Sequence, residues 1–187
     1  MIFCRLDLYF FPILDIYTPI DRTILGYKEL FSPIRRFSMK KAAVIHDLSG
    51  FGKCSLTAAI PVLSALGVQC CPVATAVLTG QTGYPCYHCT DLTAMLPDYI
   101  DAWGKNNAHF DAIYSGFLTG AEQISQVLDF IRQFREEHTL LLVDPVMGDD
   151  GNAYPFFTPG LLNGMKELTL EADVITPNLT EACLLAD

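Results

Sequence analysis

From Met39 onward, short apolar runs alternate with stretches of helical period, and that alternation constrains the fold more than any single residue. Residues 42–46 form an apolar run suited to a buried strand. Residues 55–66 predict a helix closed by Gly67, where a left-handed cap is expected. Residues 69–77 are strand-like, 91–103 predict a helix stopped at Gly104, and 110–115 predict a strand. The clearest helix covers 121–137, with Ile124, Val127, Leu128, Ile131 and Phe134 on one stripe. A strand at 139–143, a helix at 159–170, a strand at 174–176 and a helix opening around Asn178 complete the pattern. This order predicts an α/β fold, a mostly parallel sheet flanked by helices on both faces. Ligands in such folds sit beyond the carboxyl ends of the strands. The candidate residues therefore lie just after each strand: Asp47, residues 79–82, Ser115 and Gly116, residues 144–149, and residues 176–181.

Composition narrows the function classes. Hydrophobic residues are 51% and charged residues 18% of 187, which fits one ordered domain with a sizeable core. The net charge is −9 and no dense Lys/Arg cluster occurs, which argues against nucleic acid as a partner. No run approaches the roughly 18 apolar residues needed to span a bilayer. The nearest, residues 8–14, is flanked by Arg5, Asp7 and Asp15 and lacks a signal-peptide pattern, so no membrane and a cytoplasmic location are expected. Seven cysteines are an odd number, and Cys70-Cys71 lie in an apolar run, which predicts buried free thiols. Cys86-Tyr87-His88-Cys89 has no second ligand pair at zinc spacing. Composition breaks at Met39: residues 1–38 carry eight of 21 aromatics, five Lys/Arg and four Asp/Glu, with Pro12, Pro19 and Pro33 interrupting any period. Residues 1–38 are expected to be an extension upstream of the natural start, with 39–187 forming the domain proper.

Three strand-end segments carry candidate chemistry. His46-Asp47-Leu48-Ser49-Gly50-Phe51-Gly52-Lys53-Cys54-Ser55 superficially resembles a P-loop, but Asp47 replaces its first glycine and Cys54 its Mg²⁺-binding hydroxyl, so that reading is rejected. What remains is either a tight turn or a substrate loop with Asp47 in the cleft. In Asp144-Pro145-Val146-Met147-Gly148-Asp149, a carboxylate ends an apolar strand, well placed for Mg²⁺ and phosphate chemistry. The alternative is that Asp144 and Asp149 cap turns. Thr176-Pro177-Asn178-Leu179-Thr180-Glu181 reads either as a helix capping box or as a pair, Asn178 and Glu181, facing a metal held between phosphates.

Taken together, HDLSGFGKCSLTAAIPVLSALG, TAVLTGQTGY, YSGFLTG, DPVMGD and TPNLTEA resemble the pyridoxal/pyridoxamine kinase branch of the ribokinase-like superfamily, over about residues 39–187. The resemblance implies transfer of the ATP γ-phosphoryl group to the 5′-hydroxymethyl of pyridoxal, pyridoxamine or pyridoxine. By position it implies that Asp144 is the metal- and phosphate-side carboxylate, with Asp149 near the nucleotide phosphates. Asn178 and Glu181 match the Mg·ATP pair, so Asp144 and Glu181 are metal candidates, and Thr176 is placed near a monovalent cation such as K⁺. Thr82 matches a threonine against the vitamin ring, with Ala76, Leu78 and Phe117 as ring-packing side chains. The complete enzyme is expected to be a homodimer.

Two departures qualify the match. Asp47 stands where many pyridoxal kinases have serine, and Asp47-Leu48-Ser49-Gly50 also resembles hydroxymethylpyrimidine kinases, which are the runner-up; a non-catalytic small-molecule binding module is a further alternative. Second, the family carries a Gly-Thr-Gly-Asp segment whose aspartate is the general base, and no Gly-x-Gly-Asp occurs in these residues. No catalytic residue is therefore assigned within the chain, its general base is expected beyond Asp187, and the chain alone is expected to be an inactive fragment.

Overall fold

A computed structural model describes residues 39–186. Strand β1 (Lys41–Ser49) leads to helix α1 (Ser55–Ala65), strand β2 (Gln69–Leu78), strand β3 (Cys89–Asp91), a 3₁₀ turn (Thr93–Met95) and helix α2 (Leu96–Lys105). Strand β4 (Ala112–Ser115), helix α3 (Ala121–Phe134) and strand β5 (Leu140–Val143) follow. A small hairpin, β6 (Gly148–Asp149) and β7 (Asn152–Ala153), precedes helix α4 (Pro159–Leu170), strand β8 (Val174–Ile175) and helix α5 (Leu179–Ala186). The six-stranded sheet runs β3-β2-β1-β4-β5-β8, and every pairing is parallel except that of β3 with β2.

Alternation along β1 explains the layering. Ala42 and Val44 pack with Leu56 and Leu63 of α1 on one face. Ala43 and Ile45 turn to the other face, onto the large core built from α2, α3 and α4, which includes Leu96, Ile124, Ile131, Leu161 and Met165. Helices thus cover both faces, as the βαβ order requires. The predicted α3 stripe is buried along its length: Ile124, Val127, Leu128, Ile131 and Phe134 all lie in this core. Gly67 takes a φ of +75° after α1, the left-handed conformation expected of it.

Several boundaries differ from expectation. Gly104 does not stop α2, which runs through it to Lys105. Residues 91–95 are not α-helical: Asp91 ends an antiparallel strand, its carboxylate accepts from Thr93 N at 2.7 Å, and Thr93–Met95 form a 3₁₀ turn. The helix proper starts beside Pro97, which is tolerated in a first turn. β1 continues three residues past His46, because Asp47 and Ser49 find buried polar surroundings there. Cys70 and Cys71 are free thiols but half-buried rather than buried. The expectation about residues 1–38 lies outside the described residues.

Candidate active site

The strand ends converge on two adjoining cavities. Register between β1 and β2 slips after His46, where β2 advances three residues against two on β1. That irregularity re-aims neighbouring side chains, and His46, Asp47 and Ser49 are all buried polar groups there. Asp47 is 5% exposed, and Ser49 Oγ donates to its Oδ2 at 2.7 Å. Both line the first cavity, of about 150 Å³, with Leu78, Gln81, Thr82, Phe117, Val146, Tyr154 and Phe156 around them. Phe117 is held in place: Thr75 Oγ1 donates to its carbonyl at 2.8 Å, and Phe156 meets its ring edge-on at 5.5 Å. Ala76 is fully buried in the same apolar cluster as Leu78 and Phe117, behind the wall rather than on it.

The second cavity, of about 430 Å³, shares Cys54, Ser55 and Val146 with the first. Its apolar side is α1 (Ala58, Ala59, Val62, Leu63), and its polar side is His46, Tyr114 and Asp144. His46 packs edge-on against Tyr114 at 4.4 Å, and its Nε2 is buried without a partner. Burial pushes its pKa down to about 4 despite the opposing charge of Asp47, so the ring is neutral at neutral pH. Gly116 is the reason the ring fits: any Cβ at that position would overlap the imidazole. Asp144 is pushed up to about 6, first by burial and then by the Glu181 carboxylate, while a Thr176 hydrogen bond opposes the shift. Burial and then Asp144 also raise the Tyr114 phenol.

The segment 176–181 is built as a capping box. Glu181 Oε2 accepts from Asn178 N, and Asn178 Oδ1 accepts from Glu181 N, both at 2.9 Å. The same residues tie α5 to the 147–148 segment: Met147 N donates to Glu181 Oε1 at 3.2 Å, and Asn178 Nδ2 donates to Gly148 O at 2.8 Å. Glu181 is 3% exposed and coupled in charge to Asp144. Asp149 is exposed and its Oδ1 accepts from Asp150 N at 2.9 Å, which caps the hairpin turn.

Asp47, Leu78, Thr82 and Phe117 therefore share the first cavity, and Asp144 faces the second. Thr176 and Glu181 are linked to Asp144, whereas Asp149 lies on the adjoining hairpin. Among the described residues, no group of three or more His, Cys, Asp or Glu converges as a metal cluster, and no helix is long and apolar enough to cross a membrane. Sequence reasoning missed Tyr154 and Phe156 as cavity walls, while Ser49, Gln81 and Val146 fell within its strand-end segments without a role of their own. The aromatic run Tyr154-Pro155-Phe156-Phe157 in an otherwise polar connection was the available signal.

Comparison with known proteins adds the following. Residues 52–187 match the family model described as phosphomethylpyrimidine kinase. A pyridoxine/pyridoxal/pyridoxamine kinase of Bordetella avium is 35% identical over 143 residues, covering 72% of this chain and 47% of that protein. A Bacteroides thetaiotaomicron protein assigned as a phosphomethylpyrimidine kinase, crystallised with pyridoxal, is 48% identical with a TM-score of 0.78, over 80% of this chain and 52% of that one. The pyridoxal kinase of Lactobacillus plantarum is 35% identical with a TM-score of 0.73, over 79% and 53% of the two chains. The chain spans about half the length of the curated relatives just named.

Proposed function

The chain belongs to the phosphomethylpyrimidine kinase family, and from that premise we propose that residues 39–187 are the amino-terminal part of a vitamin B6 kinase. Its reaction is transfer of the ATP γ-phosphoryl group to the hydroxymethyl of pyridoxal, pyridoxamine or pyridoxine. The observation that carries the reading is the aromatic-walled cavity holding Asp47, Thr82 and Phe117 next to the Asp144 carboxylate. A flat heteroaromatic alcohol suits such walls, and its hydroxyl would lie toward the acidic side. The presence of pyridoxal with a relative that is 48% identical supports the same assignment.

Asp144 is raised to about 6 first by burial and then by repulsion from Glu181 across a partly desolvated gap. A cation fits there, since it would relieve the burial of Asp144 and the repulsion together. In this reading Asp144 holds Mg²⁺, with Glu181 behind it and Thr176 serving a monovalent cation such as K⁺. Bound there, Mg²⁺ supplies neutralisation of the nucleotide phosphates. Asp149 and Asn178 face those phosphates, while Leu78, Thr82 and Phe117, backed by Ala76, position the ring. The general base is assigned to none of the 187 residues, which contain no Gly-x-Gly-Asp. A cytoplasmic location rests on the sequence pattern described above, and a homodimeric complete enzyme on the family resemblance alone.

Hydroxymethylpyrimidine kinase is the second reading, favoured by the family model and by Asp47-Leu48-Ser49-Gly50. Calorimetric titration with pyridoxine, pyridoxamine and the aminopyrimidine alcohol separates the two. B6 vitamers should bind, should bind more tightly than the pyrimidine, and should lose affinity in Phe117→Ala. Tighter binding of the pyrimidine would hand the assignment to the second reading.

A further inference from the structure

The ring wall at Phe117 stands on a connection with no regular structure of its own. Residues 116–120 join β4 to α3 outside any helix or strand, yet Phe117 is 8% exposed and Leu118 is fully buried. A buried side-chain amide ties this connection down. Gln123, in the first turn of α3, is 1% exposed. Its Oε1 accepts from Thr119 N at 2.9 Å, while its Nε2 donates to Thr75 O at 2.9 Å and to Thr93 Oγ1 at 3.1 Å. The opposite amide orientation would set N–H against N–H at Thr119 and oxygen against oxygen at Thr75, so the partners fix the assignment. Thr75, fully buried on β2, is the hub. Its hydroxyl donates to the Phe117 carbonyl at 2.8 Å, and its own carbonyl accepts from the Gln123 amide. Thr119 Oγ1 in turn donates to Asp91 at the end of β3.

Resting on the vitamin kinase reading, we propose that Gln123 is a positioning residue for the substrate ring, acting through Phe117. It lines neither cavity. A satisfied buried network adds modest net stability, but it admits a single arrangement of the chain around it. An apolar side chain of the same size would fill the space and leave the connection free to settle in more than one way. The amide supplies direction instead: it fixes Thr119 N, two residues after Phe117, and it fixes the Thr75 backbone whose hydroxyl holds the Phe117 carbonyl. Phe156 meets the Phe117 ring edge-on at 5.5 Å, so a shift of Phe117 disturbs both aromatic walls of the cavity.

The test is a double-mutant cycle read as pyridoxine affinity, by calorimetry on the 187-residue chain. Gln123→Met keeps the length of the side chain and removes its hydrogen bonds; it should weaken pyridoxine binding on the order of 10-fold. In a Phe117→Leu background, which lacks the flat ring, the same substitution should change affinity by less than about 2-fold. A purely structural role would give equal losses in both backgrounds, or none in either; both results overturn the assignment and leave the vitamin reading standing. Should Gln123→Met not fold, Thr93→Val, which removes one acceptor of the same amide, carries the cycle with an expected loss of about 3-fold. Absence of pyridoxine binding to the wild-type chain overturns the vitamin reading and this role with it.

Discussion

The stability of this chain should depend less on pH between about 4 and 6.5 than His46 alone would make it, because His46 on β1 and the half-buried Asp144, just beyond β5, titrate in opposite senses. His46 has a folded pKa of about 4 against 6.5 unfolded. In that window the unfolded chain takes up a proton that the folded chain refuses. The stabilisation is therefore complete above the unfolded value and lost as the pH falls toward 4. At about 1.4 kcal/mol per pK unit this is worth about 3 kcal/mol. Asp144 does the reverse. Its folded pKa of about 6 lies above the ordinary 3.8, so the folded chain holds a proton that the unfolded chain has released. Stability is then highest below 3.8 and declines as the pH rises through 6. The side chain is only half-buried, and solvent screening reduces its share to about 1–2 kcal/mol. Asp144→Asn should therefore match the wild type at low pH, exceed it by about 1–2 kcal/mol at neutral pH, and slope upward across the window. His46→Gln should slope downward. Urea denaturation at a series of pH values, followed by the fluorescence of the single Trp103, measures both; that indole packs on Phe110 and Phe130. A difference between Asp144→Asn and wild type that does not change with pH would refute the account. The same substitution should weaken Mg·nucleotide binding, trading stability against the proposed site.

Three further outcomes follow from local geometry. Gly116→Ala places a methyl group on the His46 ring and should cost about 3 kcal/mol or more in denaturation midpoint analysis, with partial recovery in the His46→Ala double variant. Thr158 caps α4 by accepting from Leu161 N at 3.1 Å, and Thr158→Ala should cost about 1 kcal/mol without changing vitamin affinity. Thr75→Val leaves the buried Phe117 carbonyl without its donor; it should cost about 1–3 kcal/mol and weaken vitamin binding through the displaced Phe117 ring.

The long periodic elements were legible in the sequence for physical reasons. The α3 stripe and the apolar runs of β1, β2 and β5 are each buried by layers on both sides, and their composition records that burial. The α4 limits were legible because Thr158 and Pro159 mark a helix start in both chemistry and dihedral preference. What did not show were features set by tertiary contact. β3 has three residues and exists because β2 offers an edge, so Cys89-Thr90-Asp91 carries little strand signal of its own. Gly104 reads as a stop but faces Gln133 of α3, where close packing favours a residue without a side chain. The β6–β7 hairpin was readable in principle: Asp150 and Gly151 have φ of +49° and +78°, the two left-handed positions of a primed turn, and Asp-Gly is the sequence that supplies them. At the site, Asp47 and Phe117 could be singled out because they follow strands. Tyr154 and Phe156 reach the cavity from an irregular connection whose path no local pattern specifies.

The sheet order has a consequence for how the chain is made. Synthesis proceeds from the amino terminus, so β1, α1 and β2 emerge first and can form their parallel pair with one face already covered by α1. The other face of that pair presents Ala43, Ile45 and Val73, whose partners on α2 and α3 have not yet left the ribosome. β1 then has to wait for β4, nearly 70 residues downstream, before its second edge is closed. A nascent chain of this kind spends several seconds with an apolar sheet face and an open central edge, at typical synthesis rates of about 5–20 residues per second. The central position of the first described strand, which builds the site, thus leaves one of its edges open until β4 has been made.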